Sequence, residues 1–244
     1  MFLKDWIIDF FNKEFFAVPI EDIVAEYKRF IKFTLGEDAD VQHLRDLHAL
    51  GYLPLEFRAL PEGVECPIRV PQMTVHNTDD DKFAWLVGYL ETLFSCEDWQ
   101  GTTSATIALR IFRLLEGYAK ETSSGNVGFV PFQGHDFSMR GFSSVSSAVK
   151  SGLGHLLSFV GTDTMPAIQA AEIYYNANIE KELVGTSIPA SEHAIQCSYG
   201  DDMEYFRHLI TKVHPSGFVS IVSDGYDFWD VIGRVVPALK EKIL

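Results

Sequence analysis

Four short polar segments carry most of the side chains in this sequence that could do chemistry. They are residues 135–137 (His-Asp-Phe), 161–164 (Gly-Thr-Asp-Thr), 189–193 (Pro-Ala-Ser-Glu-His) and 223–227 (Ser-Asp-Gly-Tyr-Asp). Each segment follows an apolar run and precedes a stretch that can form a helix. Together they offer carboxylates, imidazoles, hydroxyls and an aromatic ring, which are typical of a small-molecule site.

The first two segments could recognise a flat polar ring. Phe137 could stack on a heterocycle, although a chain with 19 Phe also makes a core position plausible for it. Asp163, once ionised, only accepts hydrogen bonds, so it would favour a ligand N–H such as that of a carboxamide; it could instead cap the next helix. Arg140 could hold a phosphate through two parallel donors or lie solvated at the surface. His135 could orient a neighbouring group or be a satisfied core histidine.

The last two segments suit phosphate chemistry. His193 could bind phosphate, transfer a proton or become phosphorylated, or it could have a structural role. Asp224 and Asp227 resemble a magnesium or ribose-hydroxyl site, with helix capping as the alternative for either one. The sequence contains no Walker loop, GxGxxG, HExxH or GxSxG motif, so no single motif identifies the chemistry.

The pattern around these segments predicts an α/β fold. Apolar runs precede them at residues 127–133, 156–160, 183–188 and 218–222, and predicted helices follow at 144–154, 165–176, 202–212 and 228–243. A repeated strand–tip–helix pattern indicates parallel strands joined by crossover helices. Ligands bind beyond the carboxyl ends of such strands, where all four polar tips would lie. Four units make half of an eightfold barrel; an open four-stranded sheet is the alternative.

The part before residue 126 has a different texture. Helical periodicity predicts helices at residues 2–16, 19–35, 41–50, 83–94 and 103–120. Between them, alternating apolar residues predict a small antiparallel sheet from strands at 53–60, 64–70 and 73–75. We therefore expect two domains: an α+β accessory domain at residues 1–125 and the first half of a parallel β/α barrel at 126–244.

Composition narrows the class of protein. A formal net charge of −14 argues against binding to a nucleic-acid backbone. Three widely separated cysteines, with no CxxC motif, suit a reducing compartment, and we expect a cytoplasmic protein. The apolar start is interrupted by charged residues, so it predicts neither a signal peptide nor a membrane span.

Taken together, the segments resemble the nicotinamide phosphoribosyltransferase family. The stretch His-Asp-Phe-Ser-Met-Arg-Gly at 135–141, followed by two serines at 143 and 144, resembles the family's first active-site motif. Residues 161–164 resemble the second motif, 187–193 the third with conservative changes, and 220–227 the fourth. Residues 53–79 resemble the family's accessory sheet. The order and spacing of these motifs also agree with the family.

The resemblance implies synthesis of nicotinamide mononucleotide from nicotinamide and phosphoribosyl pyrophosphate, with Mg²⁺, in NAD salvage. It also implies coupling to ATP through a phosphorylated histidine. By this resemblance, Phe137 forms one side of a clamp on the nicotinamide ring, Asp163 selects the amide, and Arg140 contacts phosphate. His193 lies at the pyrophosphate side and becomes phosphorylated, and Asp224 positions these groups. Ser187 and Ser220 line the nicotinamide tunnel, with His135 near it. Phosphoribosyl transfer displaces a group at the ribose anomeric carbon, so positioning and charge stabilisation should carry most of the catalysis.

The resemblance also shapes expectations about assembly and activity. The family's second clamp aromatic is a tyrosine from the partner subunit, so we expect a homodimer with shared sites. That tyrosine would precede Met1, and the family's Arg-Pro-Asp-Ser-Gly motif would follow Leu244. We therefore expect a fragment that is inactive alone. The alternatives are a nicotinate phosphoribosyltransferase, which the charge of Asp163 disfavours, or an inactive homologue that binds nicotinamide or a full-length subunit.

Overall fold

The computed structural model describes residues 1, 3–79 and 81–243. The chain divides into two compact units, Met1–Gly185 and Thr186–Leu244. The boundary between these units lies about sixty residues after the domain boundary that the sequence pattern predicts. The division into domains 1–125 and 126–244 stays a prediction. Helices flank short strands in a mixed arrangement, which confirms the α/β class.

The first unit begins with three helices, as the periodicity predicts. Leu3–Phe16 has the wider hydrogen-bond spacing of a π-helix, and helices α1 (Ile20–Leu35) and α2 (Gln42–Leu50) follow. Phe2, predicted on the apolar face of the first helix, lies outside the described residues. Gly36 and Gly51 end α1 and α2 with φ values of 78° and 80°, a left-handed conformation that glycine adopts without steric cost.

A two-stranded antiparallel sheet follows these helices. Strand β1 (Leu55–Ala59) pairs with β2 (Met73–Asn77), and Phe57 lies opposite Val75. The strand predicted at 64–70 is wrong. That segment forms turns, in which the Val70 amide donates to the Pro67 carbonyl and Arg69 has a φ of 71°. The backbone therefore bends where the apolar alternation indicated an extended strand.

The two helices predicted at 83–94 and 103–120 are one. Helix α3 (Trp85–Thr122) runs for 38 residues. Gly101 lies within it and faces the backbone of the neighbouring helix α4 (Val145–Leu156). A Cβ on Gly101 would lie 3.4 Å from the Lys150 carbonyl oxygen. The Ser104 hydroxyl donates to the Ser151 carbonyl at 2.7 Å, which ties the two helices together.

The four helices predicted after the polar segments are confirmed. They are α4, α5 (Met165–Tyr175), α7 (Asp202–His208) with its extension Leu209–Val213, and the run formed by α8 (Phe228–Asp230), Val231–Val235 and α9 (Val236–Ile243). A shorter helix, α6 (His193–Ser198), was not predicted. Within the described part of the chain, no helix is both long and apolar enough to cross a membrane.

The strands begin later than predicted. The run at 127–133 contains a 3₁₀ turn, Val130–Phe132, and pairing starts with β3 (His135–Asp136) and β4 (Gly161–Thr162), which are parallel. Among residues 186–243 of the second unit, one parallel bridge joins Ala190 to Ser220. Strands β3 and β4 thus lie within the polar segments, after the apolar runs, whereas Ser220 lies inside the predicted run at 218–222. A half barrel or a four-stranded sheet stays a prediction.

Candidate functional site

Strands β3 and β4 bring the first two polar segments together. His135 lies opposite Gly161, and Asp136 lies opposite Thr162. The Asp163 amide donates to the Asp136 carbonyl at 2.9 Å, so the parallel pairing extends one residue beyond β4. Because parallel strands end at the same edge of a sheet, the side chains that follow both strands are neighbours.

His135, Phe137 and Asp163 form a side-chain cluster in the first unit, which we call the ring cluster. His135 Nε2 is 2.9 Å from Asp163 Oδ1. The imidazole also stacks on the Phe137 ring, with centroids 4.5 Å apart and 24° between the planes. A carboxylate only accepts hydrogen bonds, so Nε2 of the imidazole must carry a proton. The Phe137 side chain is 59% exposed, which leaves much of the ring available for contact with a ligand.

Asp136 holds the turn that follows the ring cluster. Its side chain is buried, and Oδ1 accepts hydrogen bonds from the Ser138 amide at 2.9 Å and from the Ser138 hydroxyl at 2.5 Å. Burial raises the pKa of Asp136, but the two Ser138 donors, Thr164 and the nearby His155 together lower it by more, so the pKa lies below its usual value. These bonds fix the start of the 3₁₀ turn Ser138–Gly141, which carries Arg140.

A cavity of about 300 Å³ lies beside His135, between α3 and α4. Its wall includes Ser104, His155 and Phe159. The His155 Nε2 is bonded to the Gly161 carbonyl at 2.9 Å, and its ring stacks on Phe159. A volume of this size is at the lower end of the range for small-molecule sites.

In the second unit, main-chain bonds join the third polar segment, 189–193, to the apolar run at 218–222 that precedes the fourth. The Ser191 amide donates to the Ser220 carbonyl and the Ser220 amide to the Pro189 carbonyl, both at 2.9 Å. The Ser191 hydroxyl accepts the Val222 amide at 2.7 Å. Ser220 is therefore fixed by main-chain bonds. The Ser187 hydroxyl lies 3.4 Å from the Ile188 carbonyl, which leaves this side chain close to its own backbone.

His193 and Asp224 form the second predicted pair. His193 Nε2 is 3.1 Å from Asp224 Oδ1, and both side chains are more than half exposed. His193 is the first residue of α6. Asp227, by contrast, caps α8, because its Oδ1 accepts the Trp229 and Asp230 amides. Of the two readings that the sequence left open for Asp227, the structure shows the helix cap.

Three residues that organise these clusters were not singled out from the sequence. The sequence points to Asp136 only as part of a motif, and it carries no strong signal for Gln196 or Asp202. Gln196 Nε2 donates to Asp202 Oδ1 at 2.6 Å, and both side chains are buried. A polar residue on the apolar face of a predicted helix is the sequence signal that could have found such residues. This signal is weak, because the burial of a side chain depends on the tertiary fold.

The charged side chains that the structure describes form no cluster of three metal ligands. Among residues 1, 3–79 and 81–243, no three His, Cys, Asp or Glu side chains are placed to hold an ion together. The Mg²⁺ that the family resemblance implies stays a prediction, since Mg²⁺ is often held by one or two carboxylates together with substrate phosphates.

Comparison with known proteins connects both units to one family. A model of the Nicotinate phosphoribosyltransferase (NAPRTase) family matches residues 132–244. The matched stretch includes β3, β4 and every residue of the ring cluster and of the His193–Asp224 pair.

Curated relatives named nicotinamide phosphoribosyltransferase match more of the chain. The relative from Acinetobacter baylyi is 46% identical over 246 residues, which cover 100% of this chain and 48% of the relative. The relative from Xanthomonas campestris pv. campestris is 37% identical over 185 residues, covering 75% of this chain and 38% of the relative. The relative from Mycoplasma genitalium is 36% identical over 196 residues, covering 79% and 40%. The chain spans about half the length of the first of these relatives and less of the others.

Proposed function

Because the chain belongs to the nicotinamide phosphoribosyltransferase family, we propose that it serves the synthesis of nicotinamide mononucleotide and pyrophosphate from nicotinamide and phosphoribosyl pyrophosphate. The observation that carries the proposal is the ring cluster, in which an exposed aromatic ring lies beside a hydrogen-bonded carboxylate. A pyridine carboxamide matches both features, since it has a flat face and an N–H donor.

Within this proposal, Phe137 stacks on the nicotinamide ring and Asp163 accepts a hydrogen bond from its amide. His135 supports both groups, because it stacks on one and bonds to the other. Arg140 contacts phosphate from the turn that Asp136 anchors, and Ser187 and Ser220 line the path of nicotinamide. The protein then acts by holding the pyridine nitrogen toward the anomeric carbon of the ribose.

Nicotinate is the second candidate substrate, because the matching family model carries that name. A carboxylate at Asp163 separates the two candidates. Nicotinamide gains a hydrogen bond there, whereas nicotinic acid offers no donor and adds a second negative charge.

The test is binding of both compounds to the purified chain, measured by NMR titration in wild type and in Asp163→Asn. A hydrogen bond to a charged group contributes roughly 1.5–3 kcal/mol. The Asp163 side chain is 42% exposed, so the lower value applies and Asp163→Asn should weaken nicotinamide binding about tenfold. The variant should also narrow the preference over nicotinic acid.

Asp38→Asn is the matched control, since it removes an equal charge from an exposed position in the loop between α1 and α2. It should leave both affinities unchanged. Tighter binding of nicotinic acid than nicotinamide by the wild-type chain would favour the nicotinate alternative. An unchanged ratio in Asp163→Asn would remove the argument for amide selection, and absence of binding by both compounds would count against the proposed function.

For ATP, the proposal is that His193 accepts the terminal phosphoryl group. A bond then forms between an imidazole nitrogen and the γ-phosphorus, and the bond from that phosphorus to the ADP oxygen breaks. Asp224, 3.1 Å from Nε2, would orient the ring. The measurement is phosphohistidine by mass spectrometry after incubation with Mg²⁺ and ATP. His193→Ala should abolish the signal and Asp224→Asn should reduce it, whereas His208→Ala should not change it.

We also propose that the active assembly is a cytoplasmic homodimer with shared sites, as the family resemblance implies. Sedimentation of the purified chain at micromolar concentration tests the assembly, and a stable monomer would contradict it.

A further inference from the structure

One face of helix α6 contacts the loop that carries Asp224 residue by residue. His193, Gln196 and Cys197 are spaced at i, i+3 and i+4, so they lie on the same side of the helix. The consecutive loop residues 224, 225 and 226 contact them in the same order. His193 bonds to Asp224 at 3.1 Å, and the Tyr226 hydroxyl donates to the Cys197 carbonyl at 2.9 Å.

The middle contact leaves no room for a side chain at position 225. A Cβ built on Gly225 would lie 2.9 Å from Gln196 Nε2, well inside the normal contact distance. Gly225 does not have a positive φ, so the backbone conformation at this position is open to other residues. Glycine is needed here because of space and not because of its backbone freedom.

The Gln196 side chain cannot move aside to admit a larger residue. It is fully buried, and Nε2 donates to Asp202 Oδ1 at 2.6 Å. Since a carboxylate only accepts hydrogen bonds, the NH₂ group of the amide must face Asp202. Asp202 is itself 4% exposed and lies in the first turn of α7. The amide is therefore fixed between α7 and the loop.

We propose that Gln196 is a positioning residue, and that its fixed amide together with glycine at position 225 sets Asp224 at hydrogen-bond distance from His193. Its role in phosphoryl transfer rests on the function proposed above, but the geometry can be tested without turnover. A larger residue at 225 would lift the loop and separate the His193–Asp224 pair. The Tyr226–Cys197 bond would act as the second anchor of the same loop.

The experiment measures how much the NMR resonances of the His193 imidazole change when Asp224 is substituted. The full chain is labelled with ¹³C,¹⁵N-histidine, and the shift of the His193 imidazole resonances on Asp224→Asn is recorded in several backgrounds. In the wild type this substitution should move the resonances. In Gly225→Ala the response should be lost, because Asp224 is already displaced. In Gly225→Ala combined with Gln196→Ala the response should return, because the new methyl group occupies the space of the removed amide and supports the loop in its place.

Two controls separate positioning from general damage. Gly233→Ala places the same methyl group where no atom lies within 4 Å of it, and it should leave the response intact. The His208 ring, which packs against Tyr199 in the same unit, reports whether the unit is folded in each variant. Its resonances should stay in place.

The proposal is overturned if Asp224→Asn does not shift His193 in the wild type, or if the response persists in Gly225→Ala. It is also overturned if the response is lost but does not return when Gln196 is truncated. Failure of nicotinamide binding would contradict the proposed function alone, because the imidazole response involves no substrate.

Discussion

Gly152 provides a direct test of how the helices behind the ring cluster pack. It lies on α4 and faces Ala167 on α5, and both residues are buried. A Cβ on Gly152 would be 2.6 Å from the Ala167 Cβ, and 3.4 Å from Asp136 Oδ2 and from Thr164 Cγ2. The perturbation is Gly152→Ala, which adds one methyl group to this contact.

The expected cost follows from two opposing effects. Carbon atoms pack best at about 3.5–4.0 Å, so the new methyl lies about 1 Å too close to a methyl that cannot rotate away. Overpacking of this kind costs roughly 1–3 kcal/mol, and the rigid partner favours the upper value. Replacing glycine by alanine inside a helix returns about 1 kcal/mol. The net effect on the free energy of unfolding is a loss of about 2 kcal/mol.

The assay is urea unfolding of the full chain, followed by far-UV circular dichroism, for three variants. Gly117→Ala is the matched control, because it adds the same methyl to α3 with no atom within 4 Å; it should stabilise by up to about 1 kcal/mol. Gly152→Ala combined with Ala167→Gly moves the methyl from one helix to the other. The propensity terms then nearly cancel, and most of the lost stability should return.

Comparison of Gly152→Ala with Gly117→Ala shows whether α4 and α5 are in close contact at Gly152. If Gly152→Ala stabilises the chain as Gly117→Ala does, α4 and α5 are not in close contact at this point. The position of Asp136 beneath the ring cluster would then be wrong as well, since its carboxylate lines the same contact. If Gly152→Ala destabilises but Ala167→Gly does not compensate, the steric conflict lies with a different neighbour.

Two further predictions concern the same region. The pKa of Asp136 is lowered in the folded protein. Its ionised form therefore stabilises the fold above the unfolded pKa of about 3.9, and that stabilisation is lost as the pH falls through the lower folded pKa. Because Asp136→Asn removes this group, the urea midpoint of the variant should fall less steeply than that of wild type from about pH 5 to about pH 3. Gly134→Ala would place a Cβ 2.5 Å from Cγ of the buried Phe159 ring, so its Tm should fall by an amount that corresponds to roughly 1–3 kcal/mol, and an unchanged Tm would contradict the contact.

The helices could be predicted because their signals are local. The helix after Phe137 is an example: Ser144 caps it, with its hydroxyl accepting the Ser147 amide at 3.1 Å, and the apolar periodicity follows at once. The strands could not be placed in the same way. Pairing between β3 and β4 covers two residues on each side, and its register depends on contacts between segments far apart in sequence. The apolar runs therefore indicated roughly where β3 and β4 lie in the sequence, but not which residues pair.

The candidate site shows the same limit. Its residues could be chosen from their types and from the family resemblance, but the bonds between them could not. Nothing in the sequence pairs His135 with Asp163 rather than with Asp136, which is adjacent to it. The structure separates the two carboxylates, since Asp163 bonds to the imidazole and Asp136 turns inward to Ser138. That division comes from strand alternation, because successive side chains point to opposite faces.

The glycines show why some structural roles can be predicted from the sequence and others cannot. Gly36 and Gly51 have positive φ and end helices, which is the role that sequence analysis assigns to glycine. Gly152 and Gly225 have no positive φ; each lies where a Cβ would come within 3 Å of another segment. A glycine of the second kind carries no local signal, because its partner is distant in sequence. The same contacts hold the ring cluster and the His193–Asp224 loop, so the residues that position this site are those whose importance depends on the assembled fold.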